Sequence, residues 1–138
     1  MDRYSDLAEV DTLANAGRPG LSMFVARPCT LPLAVRQLER HPLSSQAFIP
    51  LGDTPFLIVV APPGCDRPQA SDIQAFLSNG QQGINYRRGT WHHGLLALTR
   101  TSNFVVVDRL GSSPNCDVHD FSLEETITVS MSAADGGV

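Results

Sequence analysis

Two short segments carry most of the side chains able to do acid–base or coordination chemistry. They are Glu39-Arg40-His41-Pro42 and Tyr86-Arg87-Arg88-Gly89-Thr90-Trp91-His92-His93, and they hold three of the four histidines. An imidazole exchanges protons near neutral pH, and an arginine grips a carboxylate through a planar pair of N–H groups. So many polar groups among apolar strands exceed what packing calls for, which makes these segments candidates for a site. In an extended strand His92 and His93 point to opposite faces, so at most one reaches an interior. All ten basic residues are arginine. Without lysine there is no Schiff-base route, and any cation that grips an anionic substrate is arginine or a metal.

These groups must be positioned by short strands. The chain has 138 residues, enough for one domain with a core of its own. Its 17% charged residues fall below the usual share of about 25%, against disorder or a coiled coil. Eleven glycines and ten prolines indicate frequent turns. The pattern is mostly period two: Leu21–Arg27, stopped by Pro28; Ala47–Ile49; Leu95–Leu98; Phe104–Val107; and Thr126–Val129 read as strands. Leu33–His41 alternates, with Leu33, Val35, Gln37, Glu39 and His41 on one face. Phe56–Ala61, bounded by prolines, is expected to be a central strand buried on both sides. One helix is predicted over Asp72–Leu77, because Ser71 and Gln74 form a capping-box pattern and Ile73, Phe76 and Leu77 share a face before Asn79-Gly80. Residues 130–138 read as a loose tail. The expected fold is an all-β sandwich or barrel with this one short helix.

Several classes are disfavoured. The net charge of −4, without a basic stripe, speaks against a nucleic-acid partner. The longest apolar stretch, Pro55–Pro63, falls short of the roughly 20 residues that span a bilayer, so no membrane partner is expected. The acidic N-terminus lacks the apolar core of a signal peptide. Three cysteines, an odd number with no C-x-x-C pair, suit free thiols in a reducing compartment. A soluble, cytoplasmic protein is the expectation.

Gly89-x-x-His92 resembles the second motif of the cupin superfamily, in which a glycine turn precedes an inward histidine ligand. Glu39-x-His41-x4-Gln46 stands where the first cupin motif places His-x-His followed by Glu, with Gly52 as its closing glycine. Here Glu39 replaces the first histidine and Gln46 the glutamate. A carboxylate, two imidazoles and an amide oxygen can hold a divalent ion, so Glu39, His41, Gln46 and His92 are candidate ligands for nickel or a similar metal. A longer likeness is more specific. Glu39-Arg40-His41-Pro42-Leu43-Ser44-Ser45-Gln46-Ala47-Phe48-Ile49-Pro50-Leu51 is similar to the ureidoglycolate lyase family of cupins. So are Asn79–His93 with Leu95–Leu98, and Phe104–Arg109 with Gly111-Ser112 and Asn115-Cys116-Asp117. These blocks stand in family order, and the similarity runs from about Tyr4 to Ile127. The chain departs from the family at Arg87, where histidine is common, at Gly94, where proline is usual, and in a tighter Leu51-Gly52 turn. Members carry a further stretch before the residues matching Tyr4, so the chain reads as shortened there.

The resemblance implies a cupin β-barrel or jelly roll, a homodimer, and a place in allantoin and purine catabolism. The implied reaction cleaves ureidoglycolate to glyoxylate and urea. It needs a base, an acid and a carboxylate clamp, and no organic cofactor. The site is then expected in the barrel mouth, with Glu39, His41 and Gln46 facing Tyr86, Arg88 and His92. His92 or His41 takes the hydroxyl proton, directly or through a metal, and Tyr86 donates to the leaving nitrogen or the urea carbonyl. Arg88, or Arg109 as second choice, clamps the carboxylate. Asn85 and Trp91 complete the substrate-binding set, with Trp91 as wall. Asp108 is expected to pair with Arg109, Cys116 to be buried and inert, and His119 to be solvated in a turn. Two rival outcomes are an amidohydrolase releasing ammonia from the same substrate and a non-catalytic cupin that binds a small carboxylate.

Overall fold

The computed structural model describes residues 1–132. In chain order the strands are β1 (Arg18–Ala26), β2 (Leu33–Val35), β3 (Gln37–Arg40), β4 (Gln46–Pro50), β5 (Phe56–Ala61), β6 (Gln74–Leu77), β7 (Ile84–Tyr86), β8 (Trp91–His92), β9 (Leu96–Ala97), β10 (Ser102–Leu110), β11 (Asp117–Asp120) and β12 (Ile127–Val129). Two three-residue 3-10 turns, Ala14–Ala16 and Ala70–Asp72, are the only helical pieces among the described residues. The fold is all-β, as the period-two pattern requires. The tail expected over 130–138 lies outside the described residues from 133 onward.

One antiparallel sheet runs β1-β10-β4-β7 and a larger one runs β11-β3-β8-β5-β6, with β9 also on β5. Their facing sides meet in a core of Phe48, Tyr86, Phe104 and Val106 from the first sheet and Phe56 and Ile58 from the second. The Phe56 and Phe104 rings meet edge to face at 5.1 Å between centroids. A second core covers the other side of the larger sheet, where Leu38, Leu57, Val59, Trp91 and Leu96 pack under Val35, Ile127 and Val129 of the β2–β12 pair. The strand β5 is therefore buried on both faces, as its unbroken apolar run predicts.

Three expectations need correction. The helix over Asp72–Leu77 is instead a 3-10 turn followed by β6, which pairs with β5 in the register Ile58↔Phe76 and Val59↔Ala75. A helix of six residues cannot repay its own nucleation, whereas a strand satisfies the open edge of β5. The predicted row Leu33, Val35, Gln37, Glu39, His41 is broken at Arg36, whose carbonyl accepts the Phe121 N–H at 2.8 Å. The break resets the alternation. Leu38, not Gln37, enters the second core, and Glu39 turns towards β8 on the opposite face. Finally, His119 is not in a solvated turn but half-buried on β11, packed edge-on against Phe121 at 4.8 Å.

Candidate active site

His92 and Glu39 are direct cross-strand partners on β8 and β3, so their side chains leave the sheet on the same face. Trp91, one residue earlier, goes to the opposite face. It is buried in the second core, donates its indole N–H to the Cys65 carbonyl and lies under the Arg40 guanidinium at 4.7 Å. Trp91 is thus a core residue and not part of a substrate wall. His93 is half-buried just past the end of β8, where Nδ1 meets the Gly94 carbonyl. The turn that delivers β8 depends on Gly89, whose φ of +75° lies in the left-handed region that favours glycine. The Gly89 N–H also donates to the His41 carbonyl at 3.0 Å, which ties the two polar segments together.

Both imidazoles are oriented by main-chain carbonyls. His41 Nδ1–H donates to the Asn115 oxygen at 2.6 Å, and His92 Nδ1–H to the Thr90 oxygen at 2.9 Å. A carbonyl only accepts, so each Nδ1 carries a proton, and each Nε2 is a lone pair or a second donor according to whether a proton sits on it. Gln46 Oε1 stands 3.1 Å from His41 Nε2 and 3.3 Å from His92 Nε2, and Glu39 Oε1 is 3.5 Å from His92 Nε2. The Gln46 nitrogen points away and donates to Asp108 Oδ2 at 3.3 Å. Four acceptor atoms therefore converge, and the donor atoms of Glu39, His41 and His92 lie within 4.8 Å of one another. Lone pairs gathered this closely call for a cation or for protons between them. Imidazoles whose second nitrogen donates to a carbonyl are also the usual form of metal ligands. The residues fit a divalent ion.

The surrounding groups set the charge state. The Glu39 carboxyl is held below its ordinary range, first by its hydrogen bond with His92 and then by attraction to His92 and His41, with burial opposing. Tyr86 stacks on His92 at 4.1 Å and 11°, and burial, then the Glu39 charge, pushes its hydroxyl well above the usual tyrosine range. That hydroxyl is a donor and not a phenolate. Cys116 is exposed rather than buried. Its thiol donates to Glu39 Oε2 at 3.8 Å and is pushed upward by partial burial and then by that carboxylate, so it stays protonated and a poor nucleophile.

His41 and Gln46 open onto a cavity of about 310 Å³, at the lower end for small-molecule sites, shared with Ser44, Asp108, Arg109, Asn115 and Cys116. His92 is fully buried behind them. Arg109 is the cation of this cavity. It is 9% exposed and donates to the carbonyls of Ala14 and Asn15 at 3.0 Å each and of Ser113 at 3.4 Å. Among the described residues no carboxylate pairs with it, Asp108 included. Three of its five N–H groups are used, leaving two for an anion.

Arg88 takes another place. It is exposed and paired with Asp11 at 2.6 Å, holding the N-terminal segment, where the Asp11 N–H also donates to Ser45 Oγ and the Asp11 carbonyl accepts the Ser45 N–H. Asn85 also turns away from Tyr86, its strand neighbour, and donates to the Glu9 carbonyl at 3.2 Å. Sequence reasoning missed two contributors. Asn115 holds His41 by its main chain while its side chain accepts the Leu43 N–H and donates to Ser44 Oγ. Asp108 holds Gln46. Neither contact leaves a local signal, because the partners lie 74 and 62 residues apart.

Comparison with known proteins identifies one family. A family model described as ureidoglycolate lyase matches residues 1–130. A ureidoglycolate lyase of Azotobacter vinelandii is 55% identical over 125 residues, covering 91% of this chain and 75% of that protein. Those of Pseudomonas putida and Pseudomonas paraeruginosa are 51% and 50% identical over the same length, covering 91% of this chain and 74% and 73% of theirs.

Proposed function

The chain belongs to the ureidoglycolate lyase family, and from that premise we propose that it cleaves ureidoglycolate to glyoxylate and urea in the cavity between His41 and Arg109. One observation carries this reading: His41, with its Nδ1 held by a main-chain carbonyl and His92 buried behind it, lines a cavity together with a buried arginine that has no carboxylate partner among the described residues.

The substrate is a carbinolamide with a carboxylate on the reacting carbon. The hydroxyl proton must leave, the C–N bond must break, and the departing nitrogen must gain a proton. Arg109 holds the carboxylate through its two remaining N–H groups. His41, which lines the cavity, accepts the hydroxyl proton at Nε2 when no ion occupies that nitrogen. The buried, protonated Tyr86 supplies a donor to the urea side, and its ring braces His92. Glu39, His41, Gln46 and His92 are the residues that would hold a divalent ion such as nickel. When bound, such an ion acidifies a coordinated hydroxyl.

Turnover of ureidoglycolate, with urea and ammonia measured separately before and after chelation, tests the proposal. Urea in step with glyoxylate is expected. Ammonia in its place makes the chain an amidohydrolase, and tight binding without turnover makes it a carboxylate-binding protein. Turnover that survives chelation assigns the proton to His41 alone.

The two facing sheets, with the site on strands β3, β4 and β8, favour a single cupin-type domain. A homodimer is supported by β1, a nine-residue edge strand with exposed Leu21, Met23 and Val25. Among the described residues no helix is long and apolar enough to cross a membrane. The three free cysteines fit a reducing compartment, and we place the reaction in the cytoplasm as a step of allantoin breakdown.

A further inference from the structure

We infer that Asp108 is a positioning residue: by taking the amide N–H of Gln46, it turns the Gln46 oxygen rather than the nitrogen towards His41 and His92. A glutamine amide can rotate by half a turn and exchange its oxygen and nitrogen, so its contacts decide which way it points. The two imidazoles, each with its Nδ1–H on a main-chain carbonyl, would when neutral prefer the amide nitrogen, which could donate to either Nε2. The opposite arrangement is found. What opposes the flip is Asp108 Oδ2, 3.3 Å from the Gln46 nitrogen. Gln46 is 6% exposed, so a flipped amide would press its oxygen against a carboxylate where water cannot intervene. A residue on β10 thereby makes the fourth acceptor of a cluster built on β3, β4 and β8.

The consequence for cation affinity rests on the reading of that cluster as a divalent-ion site, whereas the orientation itself does not. Both are measured on the full chain after chelation. In nitrogen-edited NMR, the Gln46 amide protons should show no coupling across a hydrogen bond to imidazole nitrogen in the wild type or in Asp108→Asn, whose amide oxygen still accepts. They should show it in Asp108→Ala. Coupling already present in the wild type, or absent in Asp108→Ala, overturns the inference. Titration with Ni²⁺ should give an affinity about 10–100-fold weaker in Asp108→Ala and within about threefold of wild type in Asp108→Asn. In a Gln46→Glu background, loss of Asp108 should cost no affinity, because a carboxylate presents oxygen whichever way it turns. Equal Ni²⁺ affinity in wild type and Asp108→Ala overturns the inference. A wild type that binds no Ni²⁺ removes the cation-site reading, while the NMR result still decides the role of Asp108. Melting curves establish that each variant is folded, and if Asp108→Ala is not, Asp108→Leu takes its place in both measurements.

Discussion

At the scale of single residues, the two arginines separate what a sequence pattern can place from what it cannot. Arg88 stands in the polar segment beside His92, and proximity along the chain makes it the natural clamp. In space it pairs with Asp11 at the surface, while Arg109, 21 positions further on, is buried at the cavity. Strand alternation puts His92 and His93 on opposite faces because that rule is local, and the likeness of Gly89-x-x-His92 to a cupin motif is what chooses His92 as the inward one. The arginine assignment depended on where the N-terminal segment lies, which no local rule encodes. Arg109→Ala should therefore weaken substrate binding by roughly 30-fold or more, the cost of losing a desolvated charged hydrogen-bonding group. Arg88→Ala should leave the Michaelis constant close to wild type. Steady-state kinetics on both variants check this, and a large binding loss confined to Arg88→Ala would reverse the assignment. Glu39 makes a separate prediction. Its folded pKa lies below the ordinary value of 4.5, so the stability it confers is complete above that pH and is lost as pH falls through the folded value. The groups facing it are His92, His41 and Cys116. Urea midpoints measured from pH 7 down to pH 3 should show that Glu39→Gln is less stable than wild type at the upper end and converges with it at the lower. A constant gap across the range would show that the carboxylate charge is not what stabilises the fold.

At the scale of elements, the run Phe56–Ala61 was legible because a strand buried on both faces leaves an uninterrupted apolar stretch. The segment Asp72–Leu77 was misread because its helix signals were genuine but short. Ser71 and Gln74 match a capping box, yet the hydrogen bond that the Ser71 hydroxyl makes goes to the Asp72 side chain and not to a backbone N–H. An open edge on β5 outweighs that local preference. The two secondary structures differ in their response to proline. In the β5–β6 ladder the Ser78 N–H donates to the Phe56 carbonyl at 2.9 Å. Antiparallel alternation then makes Phe76 and Ile58 the next hydrogen-bonded pair and points the Ala75 N–H away from β5. Phe76→Pro should remove a ladder bond and lower stability by about 1–3 kcal/mol, whereas Ala75→Pro should cost clearly less. In a helix both prolines would be disruptive. Urea denaturation of the pair distinguishes the cases, and equal losses would argue against the strand.

At the scale of the molecule, the site accounts for one face of the first sheet and leaves the other uncovered. Register places Leu21 beside Val107 and Ala47, and Met23 beside Val105 and Ile49, so a row of apolar side chains crosses β1, β10 and β4 on the outer face. Leu21 is 77% exposed, and Met23 and Val25 are 62% exposed. The edge of β1 has no neighbouring strand among the described residues, and along nine residues it offers backbone donors and acceptors to another chain. A long apolar edge is an aggregation hazard unless something covers it. In the proposed homodimer a second copy related by a two-fold axis would cover it with the same surface and close the assembly, which a head-to-tail contact would not do. Such pairing brings the outer apolar rows of two sheets side by side and needs no charged residue in the row. A single carboxylate in the row should oppose it, because the two-fold axis brings both copies of that charge close together. Light scattering at micromolar concentration should give the mass of two chains for the wild type and of one chain for Met23→Glu, with unchanged circular dichroism. Met23 does not line the cavity, so the monomeric variant should keep its affinity for substrate. A wild type that scatters as one chain, or a Met23→Glu variant that remains paired, would show that this face is not the contact between copies.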